Sequence, residues 1–192
     1  MHLRADEIER VAIDLITASG PMSIPVDLRG IARHLGVEVH EQTFEDPVSG
    51  VLLVRGQERH IMVNRAHHPN RQRFSIAHEL GHLVLHHQEG DQLFVDTHMR
   101  VYQRIGTAYS RAYKEAGAAT TPLQEKQANQ FASALLMPKI ALTAAAGQRD
   151  LWDEGDVSAL AADFAVSEQA MAIRLRDLDL LDSAMSNDDQ DV

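Results

Sequence analysis

Apolar residues recur at intervals of three or four near the beginning of the chain, the spacing that buries one face of a helix. Between residues 5 and 18 this stripe consists of Ile8, Val11, Ala12, Leu15 and Ile16. A second, shorter helix is predicted near residues 27–35, because Gly36 follows it and glycine commonly ends a helix. Two helices are therefore expected before the pattern changes.

The next segment shows the alternation and the short apolar runs of strands. Val37 and Val39 belong to a first predicted strand, residues 50–54 form a second, and residues 60–63 form a third. Residues 55–59 contain a glycine among polar side chains, as expected of a turn. The last two strands are therefore predicted to form a hairpin.

Helical spacing returns strongly over residues 71–87 and again over residues 123–137, where Pro138 ends it. Residues 88–122 are harder to interpret, although apolar and aromatic side chains recur at helical spacing within residues 98–116. Three further helices are predicted near residues 139–146, 156–164 and 167–180.

Length and composition fit one globular unit. The 192 residues are 44% hydrophobic and 5% aromatic, so we expect a single domain over residues 1–181 with a mainly aliphatic core. Residues 182–192 are small, polar and acidic, and we expect them to form a disordered tail. The first ten residues carry charges of both signs and lack an apolar run, and no other run approaches the length of a membrane span. We therefore expect a soluble, cytoplasmic protein.

The absence of cysteine restricts the candidate chemistry. Disulfides and thiolate metal sites are excluded, so a metal ion would be held by the carboxylates and the 11 histidines. The formal net charge of −10 argues against general affinity for nucleic acid or anionic membranes, and it leaves room only for a local basic patch.

The most informative residues are His78, Glu79 and His82. At about 100° per residue, histidines four positions apart lie within about 40° of each other on a helix, so both imidazoles can reach one ion. Glu79 lies beside them, where it can contact a water at that ion, and Gly81 would let another element approach closely. The pattern is typical of metal-assisted peptide hydrolysis. A chance match on a surface helix is the competing interpretation.

A catalytic zinc site needs a third protein ligand. The zinc peptidases whose third ligand is a nearby histidine are excluded, because Leu85 and Gln88 occupy the required glycine and histidine positions. Glu125 could complete the set from a second helix, and Asn129, on the same helical face, could accept the other N–H of a ligand histidine. The alternative is that Glu125 is an exposed residue in the first turn of its helix, where its negative charge interacts favourably with the helix dipole. The histidine pair makes the ligand the preferred interpretation.

Two segments together resemble the ImmA/IrrE family of zinc metallopeptidases. The first runs from Arg73 to His86 and contains the histidine pair, and the second runs from Glu125 to Pro138. The likeness covers a peptidase core over residues 24–138. It implies a gluzincin-like α+β domain, in which a small antiparallel sheet packs on the zinc-binding helix, with a C-terminal helical pair within residues 139–181.

The resemblance also implies an activity. Members of the family typically cleave a helix-turn-helix repressor in phage, mobile-element, stress-response or antitoxin-linked circuits. Zn²⁺ would be held by His78, His82 and Glu125, and Glu79 would accept the proton of the attacking water. The segment between the two halves of the signature is longer than expected. It could be a lid, an oligomer contact, a substrate-binding element or a solvated helix.

Two other functions stay open. Residues 160–178 look like a helix-turn-helix, which would suit a DNA-binding regulator, but Arg174 and Arg176 are balanced by acidic neighbours. We therefore expect a helical pair packed on the peptidase core. A non-catalytic toxin–antitoxin partner with structural zinc is the second alternative. His86 is expected beside the metal ligands or at the surface, and the candidates to stabilise the oxyanion are His98, Tyr102, Tyr109 and Tyr113.

Overall fold

The computed structural model describes residues 3–45, 48–86, 92–97 and 120–181. Its helices are α1 (Ala5–Ser19), α2 (Leu28–His34), α3 (Pro69–His86), α4 (Pro122–Leu136), α5 (Lys139–Ala146), α6 (Glu154–Asp163) and α7 (Glu168–Asp177). Its strands are β1 (Glu38–Gln42), β2 (Val48–Arg55), β3 (Glu58–Asn64) and β4 (Gln92–Thr97). The prediction of an α+β fold is confirmed. The helical spacing within residues 98–116 and the acidic tail at residues 182–192 lie outside the described residues.

The four strands form one mixed sheet in the order β1-β3-β2-β4. β2 runs antiparallel to β3 and to β4, whereas β1 runs parallel to β3. The expectation of a purely antiparallel sheet is therefore wrong for one pair. The reason is that β3 turns back from β2 through the predicted hairpin and inserts between β2 and β1, so it takes the direction of β1.

The side chain of Asn64, at the end of β3, holds this arrangement together. Its amide nitrogen donates to the carbonyl oxygens of Phe44, at 3.2 Å, and of Val48, at 3.0 Å. Its amide oxygen accepts from the backbone N–H of Ala66 at 3.1 Å. Asn64 is buried, and these bonds satisfy its polar atoms while they fix the chain on both sides of the connection between β1 and β2.

Helix α3 lies between the sheet and α4, and α1 packs on α4. The inner face of the sheet presents the buried side chains of alternate residues, which join those of α3 in one hydrophobic cluster. The stripe predicted on α1 also faces this cluster, with Val11 only partly buried. Within the described residues, no helix combines the length and the apolar character that a membrane span requires. On the sheet, the inner-face residues are Leu52, Val54, Ile61 and Val63.

The C-terminal helices α6 and α7 pack on each other, and α7 is anchored by Arg174. Arg174 is buried, with 4% of its surface exposed. Its Nε and Nη2 atoms donate to the Met137 carbonyl oxygen at 3.1 and 3.0 Å. It also forms a two-pronged ion pair with the Glu9 carboxylate on α1, with one N–O distance of 2.9 Å. This arginine is therefore committed to the core, which favours the expected packed helical pair over a phosphate-gripping surface.

Arg174 provides a stability test. Replacing Arg174 by Ala leaves the Met137 carbonyl and the half-buried Glu9 without their donor, and hydrogen bonds to charged groups are worth about 1.5–3 kcal/mol. We expect the free energy of unfolding to fall by about that amount in urea titrations. Arg176→Ala is the matched control, because the Arg176 side chain is 71% exposed on the same helix. Equal effects of the two substitutions would contradict the anchoring role.

Candidate metal centre

Helix α3 brings His78 and His82 together on the side that faces α4. Their side chains are buried, their ring centroids are 4.7 Å apart, and the rings stand nearly perpendicular to each other. The two Nε2 atoms lie 3.0 Å apart. Since neutral imidazole carries one lone pair on an unprotonated nitrogen, two such atoms at this separation can bind a single ion.

Glu125 reaches the same point from the first turn of α4. Its Oε2 lies 3.4 Å from Nε2 of His78, and its Oε1 lies 3.7 Å from Nε2 of His82. The start of α4 fixes this position, because Thr121 caps the helix, exchanges hydrogen bonds with Gln124 and precedes Pro122. The hydroxyl of Thr120 donates to the Glu125 carboxylate. The carboxylate is thus aimed at the histidine pair rather than into solvent.

The three donors fit a small divalent ion. With metal–ligand bonds of about 2.0–2.1 Å at tetrahedral angles, neighbouring ligand atoms lie about 3.3 Å apart. The observed edges of 3.0, 3.4 and 3.7 Å bracket that value. Two imidazoles and one carboxylate also form a common donor set for catalytic zinc, which keeps a fourth position for water or substrate.

Asn129 contacts His78 from the next turn of α4. The His78 Nδ1 atom donates to the Asn129 amide oxygen at 3.0 Å, which leaves the Nε2 lone pair directed towards the donor group. This is the contact anticipated from the four-residue spacing of Glu125 and Asn129. The two residues serve opposite ends of the same imidazole, since one lies beside Nε2 and the other beside Nδ1.

Glu79 is fully buried between α3 and strand β2. A Cβ atom built at Gly50 of β2 would lie 3.1 Å from Oε1 of Glu79, so the strand can run this close only because that position has no side chain. Glu79 is outside the group of three donors within 4.8 Å of one another, as its position on the helix predicts. Ser75, one helical turn earlier on α3, is buried as well.

Gly81 sets the distance between α3 and α4. A Cβ atom at this position would lie 3.2 Å from the backbone Cα and carbonyl oxygen of Ala128, and 3.1 Å from the ring of Phe131. The backbone of Ala128 cannot move without shifting Glu125 and Asn129, which lie on the same helix. The close approach expected at Gly81 is therefore present, and it carries the candidate ligand to the histidines.

The electrostatics favour an ionised carboxylate at this centre. Burial opposes the charge of Glu125, but the close contacts of its carboxylate with His78 and His82 and the hydrogen bond from Thr120 outweigh it, so its pKa lies well below the usual range. Burial also lowers the pKa of His86, and the neighbouring His82 lowers it further. The His86 Nε2 atom lies 3.1 Å from the Gln124 carbonyl, which places His86 beside the donor group and outside it.

One phenylalanine ring stacks on each of the two histidines. Phe94 of β4 stacks on the His82 ring, with centroids 5.0 Å apart and planes 17° from parallel, and Phe74 stacks on His78 at 6.2 Å. Neither β4 nor the contact of Phe94 was predicted, because residues 92–97 lie in the segment whose pattern could not be interpreted. The short apolar run at residues 93–95 is the signal that could have identified the strand. The predicted oxyanion candidates, His98 and the tyrosines, lie outside the described residues.

Comparison with known proteins agrees with this geometry. The sequence model of the Peptidase_M78 family, described as the IrrE N-terminal-like domain, matches residues 32–176, which is more than half of the chain. The chain belongs to the ImmA/IrrE family. This family is of the metallopeptidase type, and the matched range contains all five candidate site residues.

Among solved structures, the fold is similar to a Mycobacterium tuberculosis transcriptional regulator. The TM-score is 0.57 at 20% sequence identity, and the alignment covers 88% of this chain. The chain corresponds to 46% of the length of that protein, so the likeness concerns the fold of one part of it. No curated protein matches this ImmA/IrrE family chain with significance.

The close approach at Gly81 can be tested directly. Gly81→Ala would gain about 0.5–1 kcal/mol of helix propensity, but the clash with the Ala128 backbone is expected to cost about 1–3 kcal/mol. We therefore expect a lower melting temperature and weaker metal binding, measured by thermal unfolding and chelator competition. Gly147→Ala is the control, because a Cβ there meets its nearest atom at an ordinary 3.4 Å. Unchanged metal affinity in Gly81→Ala would show that helix separation does not control the site.

Proposed function

We propose that this ImmA/IrrE family member is a zinc-dependent endopeptidase, with His78, His82 and Glu125 as metal ligands and Glu79 as the general base. The observation that carries the proposal is the meeting of three donor atoms from two helices beside a buried glutamate. Zn²⁺ is the preferred ion because two imidazoles and one carboxylate at these separations suit it.

The chain's own residues supply the remaining chemistry. His78, His82 and Glu125 would hold a divalent ion, which would supply a Lewis acid to polarise the scissile carbonyl. Glu79 accepts a proton from the attacking water and delivers it to the departing amine, acting first as general base and then as general acid. Asn129 fixes the orientation of the His78 ring by accepting from Nδ1. Gly50 leaves the space that Glu79 occupies.

We propose a helix-turn-helix repressor or antitoxin as the substrate, so that cleavage changes transcription. A peptidase fold implies a protein substrate, and the family resemblance points to repressors of this type. The similar solved protein is named a transcriptional regulator, which is consistent with a role in gene control. Direct DNA binding through residues 160–178 is the weaker alternative, because Arg174 is tied to Glu9 and Met137.

The catalytic role of Glu79 separates a peptidase from a partner protein with structural zinc. Glu79→Gln keeps the shape of the side chain but removes the base, so cleavage of a helix-turn-helix repressor substrate should fall by about 10²–10⁴-fold. The metal content of the purified variant should equal that of the wild type, because Glu79 is not among the proposed ligands.

Four outcomes of this experiment are informative. Glu58→Gln is the matched control, because Glu58 is an exposed glutamate at the start of β3, and this variant should cleave at the wild-type rate. Removal of the metal with a chelator should abolish cleavage, and added Zn²⁺ should restore it. Equal cleavage by wild type and Glu79→Gln would overturn the mechanism. Preserved biological activity of Glu79→Gln with bound zinc would favour the non-catalytic partner.

Asn129 is expected to act through His78. Asn129→Ala removes the acceptor that orients the imidazole, and loss of such a contact typically weakens metal binding by about 10–100-fold. Competition with a chromogenic chelator measures this change. Lys126→Ala, an exposed position on the same helix, should leave the affinity unchanged. An Asn129→Ala variant with wild-type affinity would remove this residue from the site.

A further inference from the structure

A second group of metal-binding side chains lies on the opposite face of the sheet. Glu38 and His40 alternate on the edge strand β1, and His60 is the register partner of Glu38 on β3. Because side chains two positions apart point to the same face of a strand, all three project from the outer face, away from α3. The buried Ile61, next to His60, points to the inner face.

The separations within this outer group match those of the buried centre. His40 Nε2 lies 3.2 Å from His60 Nδ1, and Glu38 Oε2 lies 3.4 Å from the first nitrogen and 3.6 Å from the second. These edges bracket the value of about 3.3 Å expected between ligands of a tetrahedral zinc site. The donor set is also the same, namely two imidazole nitrogens and one carboxylate oxygen.

Two arginines that contact or adjoin these strands are directed elsewhere. Arg29 donates to the Val39 carbonyl at 3.2 Å and pairs with the Glu41 carboxylate at 2.8 Å. Glu41 alternates with His40 along β1, so this pair belongs to the other face of the strand. Arg59 donates to the Leu35 carbonyl at 2.9 Å, and it also alternates with His60. The net charge of −10 further favours a cation over an anion at this surface.

We propose that Glu38, His40 and His60 form a second, solvent-accessible site for a borderline divalent transition cation such as Zn²⁺ or Cu²⁺. Imidazole selects such ions over Mg²⁺ and Ca²⁺, which prefer oxygen ligands. The side chains are 71%, 49% and 27% exposed in that order, so water completes the coordination and the ion exchanges freely. An ion bound there clips the edge strand β1 to β3. The proposal stands independently of peptidase activity.

Equilibrium dialysis of the full-length, zinc-loaded protein against free Zn²⁺, followed by metal analysis, tests this site. The wild type should take up a second, weaker equivalent, and bound Cu²⁺ should show nitrogen hyperfine splitting in its electron paramagnetic resonance spectrum. His40→Gln and His60→Gln should each lower the affinity for the second equivalent by about 10–100-fold or more, because loss of a supporting contact alone typically has an effect of that size. Their exposure allows these substitutions without disturbing the core.

The controls separate a built site from general attraction to an acidic protein. His34→Gln removes an exposed histidine of α2 and should change nothing. Glu38→Gln removes only the charged oxygen and should also weaken the second equivalent. A single equivalent in the wild type that is retained in His40→Gln and His60→Gln would overturn the proposal. A second equivalent that persists in His40→Gln and His60→Gln would also overturn it. The same holds for a second equivalent that Mg²⁺ competes away as effectively as Zn²⁺. The buried equivalent serves as the internal standard in every sample.

Discussion

The close contact between α3 and α4 at Gly81 is the constraint on which the candidate centre depends. The two helices approach closely because Gly81 presents only a hydrogen atom to the backbone of Ala128, where any other residue would place a Cβ atom. At any larger separation, the Glu125 carboxylate would lose the histidines and Asn129 would lose His78. Burying two imidazoles and two carboxylates is costly unless each has partners, so this contact also decides whether the group is tolerable in the core.

The sheet supports the same centre from the other side. Gly50 of β2 makes room for Glu79, and Phe94 of β4 covers the His82 ring. Helix α3 is consequently enclosed on both sides, and its polar residues are buried rather than displayed on an open face. A low-dielectric surrounding strengthens the electrostatic interactions of these groups, which suits a site that must polarise a peptide bond.

Local pattern predicted the helices more successfully than the sheet, and it singled out the side chains that meet at the candidate centre, whose roles stay a proposal. The spacing of His78 and His82, and of Glu125 and Asn129, is a property of single helices, so it could be read without knowledge of the fold. The parallel pairing of β1 with β3, the strand β4 and the stacking of Phe94 depend on contacts between distant residues. A one-dimensional pattern does not encode such register. For the same reason Glu38, His40 and His60 were not recognised as a group, because only strand pairing brings His60 beside the other two.

The anchoring of Arg174 has a consequence for how the molecule loses its structure. The Arg174 guanidinium on α7 contacts Met137, directly after α4, and Glu9 on α1. The first and the last helices of the described chain are thereby both connected to α4, which supplies Glu125. These segments are therefore expected to melt cooperatively rather than peel away one at a time. Ligation of an ion between α3 and α4 would then protect amide hydrogens of α7 from solvent exchange, although no atom of α7 belongs to the centre.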